Sequence, residues 1–453
     1  MIYADIKDSP AYRNEEYLQA CGEWDYLKDM FKGISRWSTL NDGILSPTEK
    51  AKSYLPKHPE EDSTEYLHRF RMTEFDDAFA RAIKEYCDLM FANGIDLNAP
   101  DSFMEQWRSL SDTGDSGNVL LPQVAMKAMT YGVSHIFVDY SGDRPRWIPI
   151  EPISIPNWSV TMVDGLQVLQ HVSILSRSNG RSFVTTYQRG GEWIRYEYIK
   201  LENGHYEFSI ADTGTLKAKS VPLKEIPLVS FHVSYSRDSL IVGDRLFRSL
   251  ADKNKTLYQV TSDYRRKMQL CNTPQPVQYD PMGDDDDVIL SPNRILKMRS
   301  PDAYFRWVEA STGSLSASRR EMMDITETIR ADSTKFLQNP TARVSAGASE
   351  MSVAPLQATL LGFSNSFTQG VKQAIAFHQN YMGDTSPIEI EIMPSLVKQQ
   401  PKDSQAALSA SNLYTSNVLT RHSAVMMLNE AHIISDEIAS EELKLPEDLP
   451  SNE

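Results

Sequence analysis

Two Asp-Thr-Gly triplets, Asp112-Thr113-Gly114 and Asp212-Thr213-Gly214, offer the most recognisable chemistry in this 453-residue chain. Paired carboxylates that share a proton are the machinery of an aspartic protease, and Asp112 and Asp212 are the residues such a site would use. Their surroundings argue against it. Neither triplet follows a strong apolar strand and leads into a Ser/Thr-plus-apolar run, and Asp-Thr-Gly is also an ordinary turn sequence. Gly114-Asp115-Ser116-Gly117 has the make-up of a serine-nucleophile loop, but Asn118 follows it. The upstream histidines, His58 and His68, lie in polar or helical surroundings, so this stretch reads as the cap of a helix over 119–131. No Gly-x-x-x-x-Gly-Lys-Ser/Thr loop occurs. The nine histidines show no His-x-x-x-His spacing and no partner cysteines. Neither a metal nor a cofactor is expected.

Two charged features are interaction candidates instead. Asp284-Asp285-Asp286-Asp287 lacks the alternating ligands and downstream Glu of a calcium loop, and reads as a solvated acidic loop or the counterpart of a basic partner. Residues 244–270 carry seven basic side chains (Arg245, Arg248, Lys253, Lys255, Arg265, Arg266, Lys267) against Asp244, Asp252 and Asp263. That segment suits contact with phosphate or a solvated, ion-paired helix face.

The elements that must hold these residues emerge from periodicity. The chain is 41% hydrophobic and 24% charged, which is globular composition, with a formal net charge of −15. Such a balance excludes tight binding to nucleic acid through phosphate neutralisation and excludes a polybasic membrane anchor. Cys21, Cys87 and Cys271 are far apart, as in a reducing compartment. No apolar run reaches the length of a membrane span, and no signal peptide is expected. Residues 1–135 read as mainly helical, with one amphipathic helix over 66–93 ending at Gly94 and another over 119–131 ending at Gly132. From 133 to 235 the period shifts to two. Strands are expected at 133–139, 166–175, 182–187, 193–201, 206–210 and 228–233, with turns at Asn179-Gly180, Gly190-Gly191, Asn203-Gly204 and Asp212-Thr213-Gly214. An uninterrupted helix over 244–270 is about 40 Å long at roughly 1.5 Å per residue. A proline-rich module follows, then a helix over 314–337 with Leu315, Met322, Ile329 and Phe336 seven residues apart, a stripe that asks for a partner helix. A third long helix, 349–382, carries Leu356, Leu360, Phe363, Phe367, Val371, Ile375 and His378 on one face. A strand over 388–392 and a helical section complete an α+β chain.

This order resembles the portal proteins of tailed bacteriophages. Tyr54-Leu55-Pro56 with Glu65-Tyr66-Leu67-His68-Arg69-Phe70 is similar to one portal branch's entry segment. Asn254, Tyr258, Ser262 and Asp263 look like its stem helix. Ser345-Ala346-Gly347-Ala348-Ser349-Glu350 is similar to the turn that opens its long helix. Asn417-Val418-Leu419-Thr420-Arg421 and Leu428 to Glu437, followed by Glu441-Glu442, look like its C-terminal segment.

The resemblance implies a portal fold with a wing at 1–243 (β-rich at 133–235) and 348–400. It implies stem helices at 244–271 and 313–336, a clip at 272–312, a tunnel loop at 337–347 and a helical crown at 401–453. It implies a mechanical, non-enzymatic role: a homo-oligomeric ring, usually of twelve subunits, at one capsid vertex, formed in the host cytoplasm and retained in the virion. Double-stranded DNA would pass through it. The terminase large subunit would dock first, then head–tail adaptor proteins, beside the major capsid and scaffold proteins. Asn339, Thr341, Arg343, Val344 and Ser345 would form the tunnel loop, with Arg343 against phosphate. Arg265, Arg266, Lys267, Arg319 and Arg320 would be the stem's basic face, and Asp284 to Asp287 the docking surface of the clip.

Overall fold

The computed structural model describes residues 10, 12–35, 37–39, 45–59, 61–140, 142, 144–200, 206–234, 239–272, 275–279, 300–308, 313–334, 346–394 and 421–430. The helical start comprises α1 (Glu15–Lys32), the paired strands β1 (Trp37–Thr39) and β2 (Leu45–Pro47), α2 (Glu49–Tyr54), α3 (Ser63–Met72), α4 (Ala78–Phe91), β3 (Asp96–Asn98), α5 (Asp101–Trp107) and α6 (Gly117–Tyr131). The β region holds β4 (Val133–Asp139), β5 (Arg146–Ile150), β6 (Asn157–Val163), β7 (Leu166–Ser178), β8 (Arg181–Gln188), β9 (Glu192–Lys200), β10 (Tyr206–Thr215), β11 (Lys217–Ala218), β12 (Val221–Pro222) and β13 (Leu228–His232). Then come α7 (Arg248–Asn272), β14 (Gln275–Tyr279), β15 (Tyr304–Val308), α8 (Gly313–Thr334), α9 (Ala346–Met382), β16 (Glu389–Glu391) and α10 (Arg421–Glu430). The chain is α+β, as its periodicity indicates.

Local chemistry sets the helix ends. Asn14 caps α1 by accepting from Glu16 N, acidic Glu15 and Glu16 fill the first turn, and Lys32 stands in the last. Tyr17, Ala20, Trp24, Leu27 and Met30 form its buried stripe. The helix expected over 66–93 is two helices. Thr73 folds its hydroxyl back onto the Arg69 carbonyl at 2.8 Å, ending α3. Asp77 then stands at the N-cap of α4, and the free Phe79 N–H donates to Asn254 Oδ1. Periodicity runs through the break because Phe75 stays on the same face, edge-on to Tyr258 at 5.5 Å.

The five-stranded antiparallel sheet has the order β10-β9-β8-β7-β6, each strand beside its sequence neighbour. Asn179-Gly180 turns β7 into β8 with both residues at positive φ, the twist that suits a two-residue hairpin. Asp212-Thr213-Gly214, expected as a turn, lies inside β10. A register shift between Ile210 and Asp212 realigns the strand, and Gly214 pairs with Trp193. A Cβ at Gly214 would stand 2.8 Å from that indole, so the glycine makes room for the ring.

The second sheet, β13-β4-β5, is the centre of the core. Residues Val133–Val138 of β4 are all buried: on one face Ser134 donates to the Val124 carbonyl of α6 while Phe231, opposite it in the register, meets Phe367 of α9, and on the other face Phe137 meets Tyr187 of β8 at 4.6 Å. The α9 stripe runs as expected where side chains are described: Leu360, Phe363, Phe367, Val371, Ile375 and His378 are buried. Phe367 meets Phe231 of β13 at 4.7 Å and Phe91 of α4 at 6.1 Å. β16 joins β3 in a small antiparallel pair, Ile390 opposite Leu97. A backbone crossing fixes the exit from α6: a Cβ on Gly132 would stand 2.4 Å from the Asp244 carbonyl, and one on Gly243 2.4 Å from the Gly132 carbonyl.

Two histidines are enclosed here. His135 on β4 contacts Ser230 Oγ at 2.9 Å. Burial first, and the neighbouring His232 second, lower its pKa to about 3. His378 contacts Gln106 Oε1 at 2.8 Å and is walled by Phe103 and Trp147. Burial and then Arg144 lower its pKa to about 4. Both stay neutral in the fold, whereas the unfolded chain takes up protons below about 6.5. Their stabilisation is therefore complete above that pH and is lost as pH falls towards the folded values. Melting curves between pH 7 and 4.5 should show a loss of about 2–3 kcal/mol from His378 alone, and His378→Gln should flatten that slope. Parallel wild-type and variant curves would contradict this assignment.

Candidate functional site

The interaction candidates converge on α7, which begins at Arg248 after a short turn, four residues later than its sequence pattern suggests. Leu250, Ala251, Asn254, Leu257, Tyr258 and Ser262 are buried on one face. Asn254, Tyr258 and Ser262 recur every four residues, so this face carries a polar stripe inside an apolar one. It packs on α1, α3 and α4.

The stripe is matched by a buried charge network. Arg69 of α3 grips Glu61 bidentately, Nε to Oε1 at 2.7 Å and Nη2 to Oε2 at 2.8 Å. Arg69 Nη1 donates to Ser262 Oγ at 3.0 Å, and Nη2 donates also to the Pro56 carbonyl at 2.8 Å. Arg266 Nη1 reaches Glu61 Oε1 at 3.1 Å, and the His58 N–H donates to Oε2. The side chains of Glu61 and Arg69 are 0% and 4% exposed. Burial pushes the Glu61 carboxyl up; the Arg69 hydrogen bonds, the His58 amide and the charges of Arg69 and Arg266 overcome it and hold the pKa at about 2. Around this centre, Gln259 Nε2 donates to the Tyr54 carbonyl, Tyr66 OH donates to the Leu55 carbonyl, and His58 lies 3.3 Å from Asp263. The entry segment at 54–70 and the stem-like residues at 254–263, almost 200 positions apart, are thus the two halves of one clamp.

The expected basic face has a different layout from a free stripe. Arg265 donates to the Met72 carbonyl at 2.6 Å and meets Glu74 at 3.0 Å. Arg266 holds Glu61 and lies 3.6 Å from Glu65. Lys267 donates to Ser318 Oγ at 2.8 Å, tying α7 to α8. Upstream, Arg245 and Arg248 both hold Glu23 of α1. Arg319 and Arg320 on α8 are exposed and make no ion pair among the described residues. On the inner side of α8, Ile329 is buried and Met322 and Ile325 pack against the core, as the seven-residue stripe suggests; Phe336 lies outside the described residues.

Between the two helices β14 and β15 form an antiparallel ribbon, Tyr279 stacked on Tyr304 at 5.3 Å with Arg306 over the Tyr304 ring. Asp284 to Asp287 between these strands lie outside the described residues, as do Asn339, Thr341, Arg343, Val344 and Ser345, and the 401–453 section apart from α10. Asp112 sits exposed in the turn before α6, and Asp212 exposed in β10 of the other sheet, neither in the enclosed setting that a shared proton needs. Ser116 occupies the N-cap position of α6 without a side-chain capping bond.

Glu61 is not singled out by sequence reasoning, and Ser262 appears there only in the stem-like motif, with no partner assigned. The available signal was the Asn/Tyr/Ser spacing of four within an amphipathic helix, which marks a buried face that needs polar partners.

A family profile described as a domain of unknown function (DUF4055) matches residues 247–382, from the start of α7 to the end of α9. No curated protein matches the chain. Among solved structures, the chain is similar to a component of the neck of a native GTA particle computed with C12 symmetry, at TM-score 0.41 and 9% identity, over 82% of this chain and 91% of that one. It is also similar to the neck of an empty GTA particle computed with C6 symmetry, at 0.40 and 9%, over 82% and 94%. A third likeness is to the virion of a native gene transfer agent particle, at 0.37 and 9%, over 89% and 98%.

Removing one member of a buried ion pair strands the others, which costs about 3–5 kcal/mol. Glu61→Gln should lower the urea midpoint at pH 7 accordingly, and Glu61→Gln with Arg69→Met should recover part of the loss because one stranded cation is gone. Additive losses would show that the two residues do not act as one clamp.

Proposed function

We propose that this chain is the subunit of a portal: a ring at one capsid vertex of a tailed phage or phage-like particle, through which DNA is packaged and released. The observation that carries the reading is the clamp. The two sequence segments that resemble the portal entry and the portal stem are joined in space by Glu61, Arg69, Ser262 and Arg266. A wall of a channel needs long helices held rigidly to a bulky body, and α7 with α8 is such a pair.

In this reading residues 1–243 and 348–400 form the wing, 244–271 and 313–336 the stem, 272–312 the clip, 337–347 the tunnel loop and 401–453 the crown. Arg265, Arg266 and Lys267 hold the stem to the body and to itself, which leaves Arg319 and Arg320 as its outward cations. Arg343 meets phosphate from the tunnel loop, a loop of otherwise small or polar residues apart from Val344. Asp284 to Asp287 present charge first to the terminase large subunit and later to head–tail adaptors. The role is mechanical: DNA slides through a passage that attracts it weakly, because strong attraction would arrest it.

The test is negative-stain electron microscopy of the purified full-length protein, with Arg343→Ala in parallel. Rings with a central hole are expected for both, with DNA retention in assembled particles reduced in the variant. Monomers under every condition of salt and concentration would overturn the proposal; rings with unchanged retention would remove Arg343 from it.

A further inference from the structure

The arm ahead of α1 runs beside a cavity. Asn14 ties that arm to the start of β6: its N–H donates to the Pro156 carbonyl at 2.9 Å and its Nδ2 to the Trp158 carbonyl at 3.2 Å. Further back, Pro10, Tyr12 and Arg13 form one wall of a cavity of about 500 Å³. Its floor is one face of the five-stranded sheet. Leu175 of β7 lies opposite Val184 of β8, and Tyr198 of β9 opposite Phe208 of β10, all on the same side. Tyr198 meets Tyr206 and Phe208, each at 5.8 Å between ring centroids, and the three rings are half-buried. The opposite face of this sheet is turned to the core, where Tyr187 meets Phe137. A second cavity on the arm's other side is more polar: Ser159, His171, Thr186, Gln188 and Glu192 line it beside Trp193 and Tyr196.

We infer that residues 2–6 of the same copy occupy the ring-floored cavity, with Ile2, Ala4 and Ile6 against the sheet. Three observations choose this occupant. The first is position. Ser9 joins Pro10 on the cavity wall, and the eight residues from Ile2 to Ser9 reach about 26 Å when extended, against about 19 Å for the width of five strands. A segment on so short a tether has an effective concentration in the millimolar range, which a free partner has to exceed. The second is pattern. Ile2, Ala4 and Ile6 alternate with Tyr3, Asp5 and Lys7, so an extended segment presents one aliphatic side, which fits the ring-floored cavity and not the polar one. The third is charge. Arg13 stands exposed on the wall with no acid partner among the described residues, and Asp5 and Asp8 bring the opposite sign to it. The segment is thus a plug that closes an aliphatic and aromatic patch against other proteins.

The inference does not rest on the ring proposed above, and its readouts are the same in a ring or a monomer. The full-length protein with Cys21 and Cys271 changed to Ser carries Ile6→Cys and Phe208→Cys together and is treated with a short bismaleimide. An internally bridged single chain is expected, identified by mass spectrometry of the linked peptides. No bridge would overturn the plug. So would a cross-linked dimer formed on mixing the two single-cysteine variants, because it would put the segment on another copy. In the unmodified background, Ile2→Asp with Ile6→Asp should raise the fluorescence of an added apolar dye about threefold, with an unchanged circular dichroism spectrum, as the patch opens to solvent. Tyr3→Asp with Lys7→Asp, on the other side of the extended segment, should leave the signal at the wild-type level. Equal effects from the two pairs, or none from either, would overturn the assignment.

Discussion

Everything at the proposed functional end of this molecule depends on one buried carboxylate. Glu61 is enclosed and ionised, gripped by Arg69 and Arg266. An ionised group in that position is tolerable only with complete pairing. Arg69 therefore binds Glu61, Ser262 and the Pro56 carbonyl at once, and in doing so fixes the angle at which α7 leaves the body. Geometry, more than net energy, is what such a network contributes: apolar residues can hold two helices together, but a forked guanidinium with three acceptors accepts only one arrangement.

From that point the structure builds outward in two directions. Through Lys267 and Ser318, and through Ile329 and its neighbours, α7 positions α8. Through Asn254 it is anchored to α4 and through Tyr258 to Phe75 just before it, and Phe91 of α4 contacts Phe367 of α9. α9 in turn covers the β13-β4-β5 sheet. The three long helices and the central sheet form one connected core, so a change in the direction of α7 has to be accommodated by the whole body. Such rigidity is what a load-carrying channel wall requires.

The fold was legible where burial on one side imposes a period. The strands from β7 to β10, the continuous run of β4 and the α9 stripe follow directly from their sequences. The misreadings share a cause: interactions remote in sequence override the local signal. Thr73 to Asp77 continue an apolar period yet break the helix, because Asn254 supplies the cap from 175 positions away. Asp212-Thr213-Gly214 has turn composition, but the ladder with β9 extends it and Trp193 needs the space above Gly214. The strands β5 and β6 are not among those read from the sequence; Pro149 interrupts the one and Pro156 precedes the other, and proline weakens a local strand signal. The basic excess of residues 244–270 was visible, but its use was not: Arg245, Arg248, Arg265 and Arg266 are ion-paired to acids of the helical start, itself net −7 over residues 1–100.

That pairing also changes the meaning of the overall charge of −15. Four of the seven basic residues of 244–270 are ion-paired to the body on which the helix docks, and the last twenty residues add a further −6. In the proposed portal, an inner wall of this kind would give DNA little to hold. The central claim, that the clamp sets α7 and α8 as the wall of a channel, is tested most directly by a side-chain-resolution cryo-electron microscopy map of the assembled protein. The account predicts α7 and α8 of every subunit around the central hole, with the Glu61–Arg69–Ser262 network intact at the junction with the body. A ring in which these helices lie on the outer rim, with another element lining the hole, would contradict it.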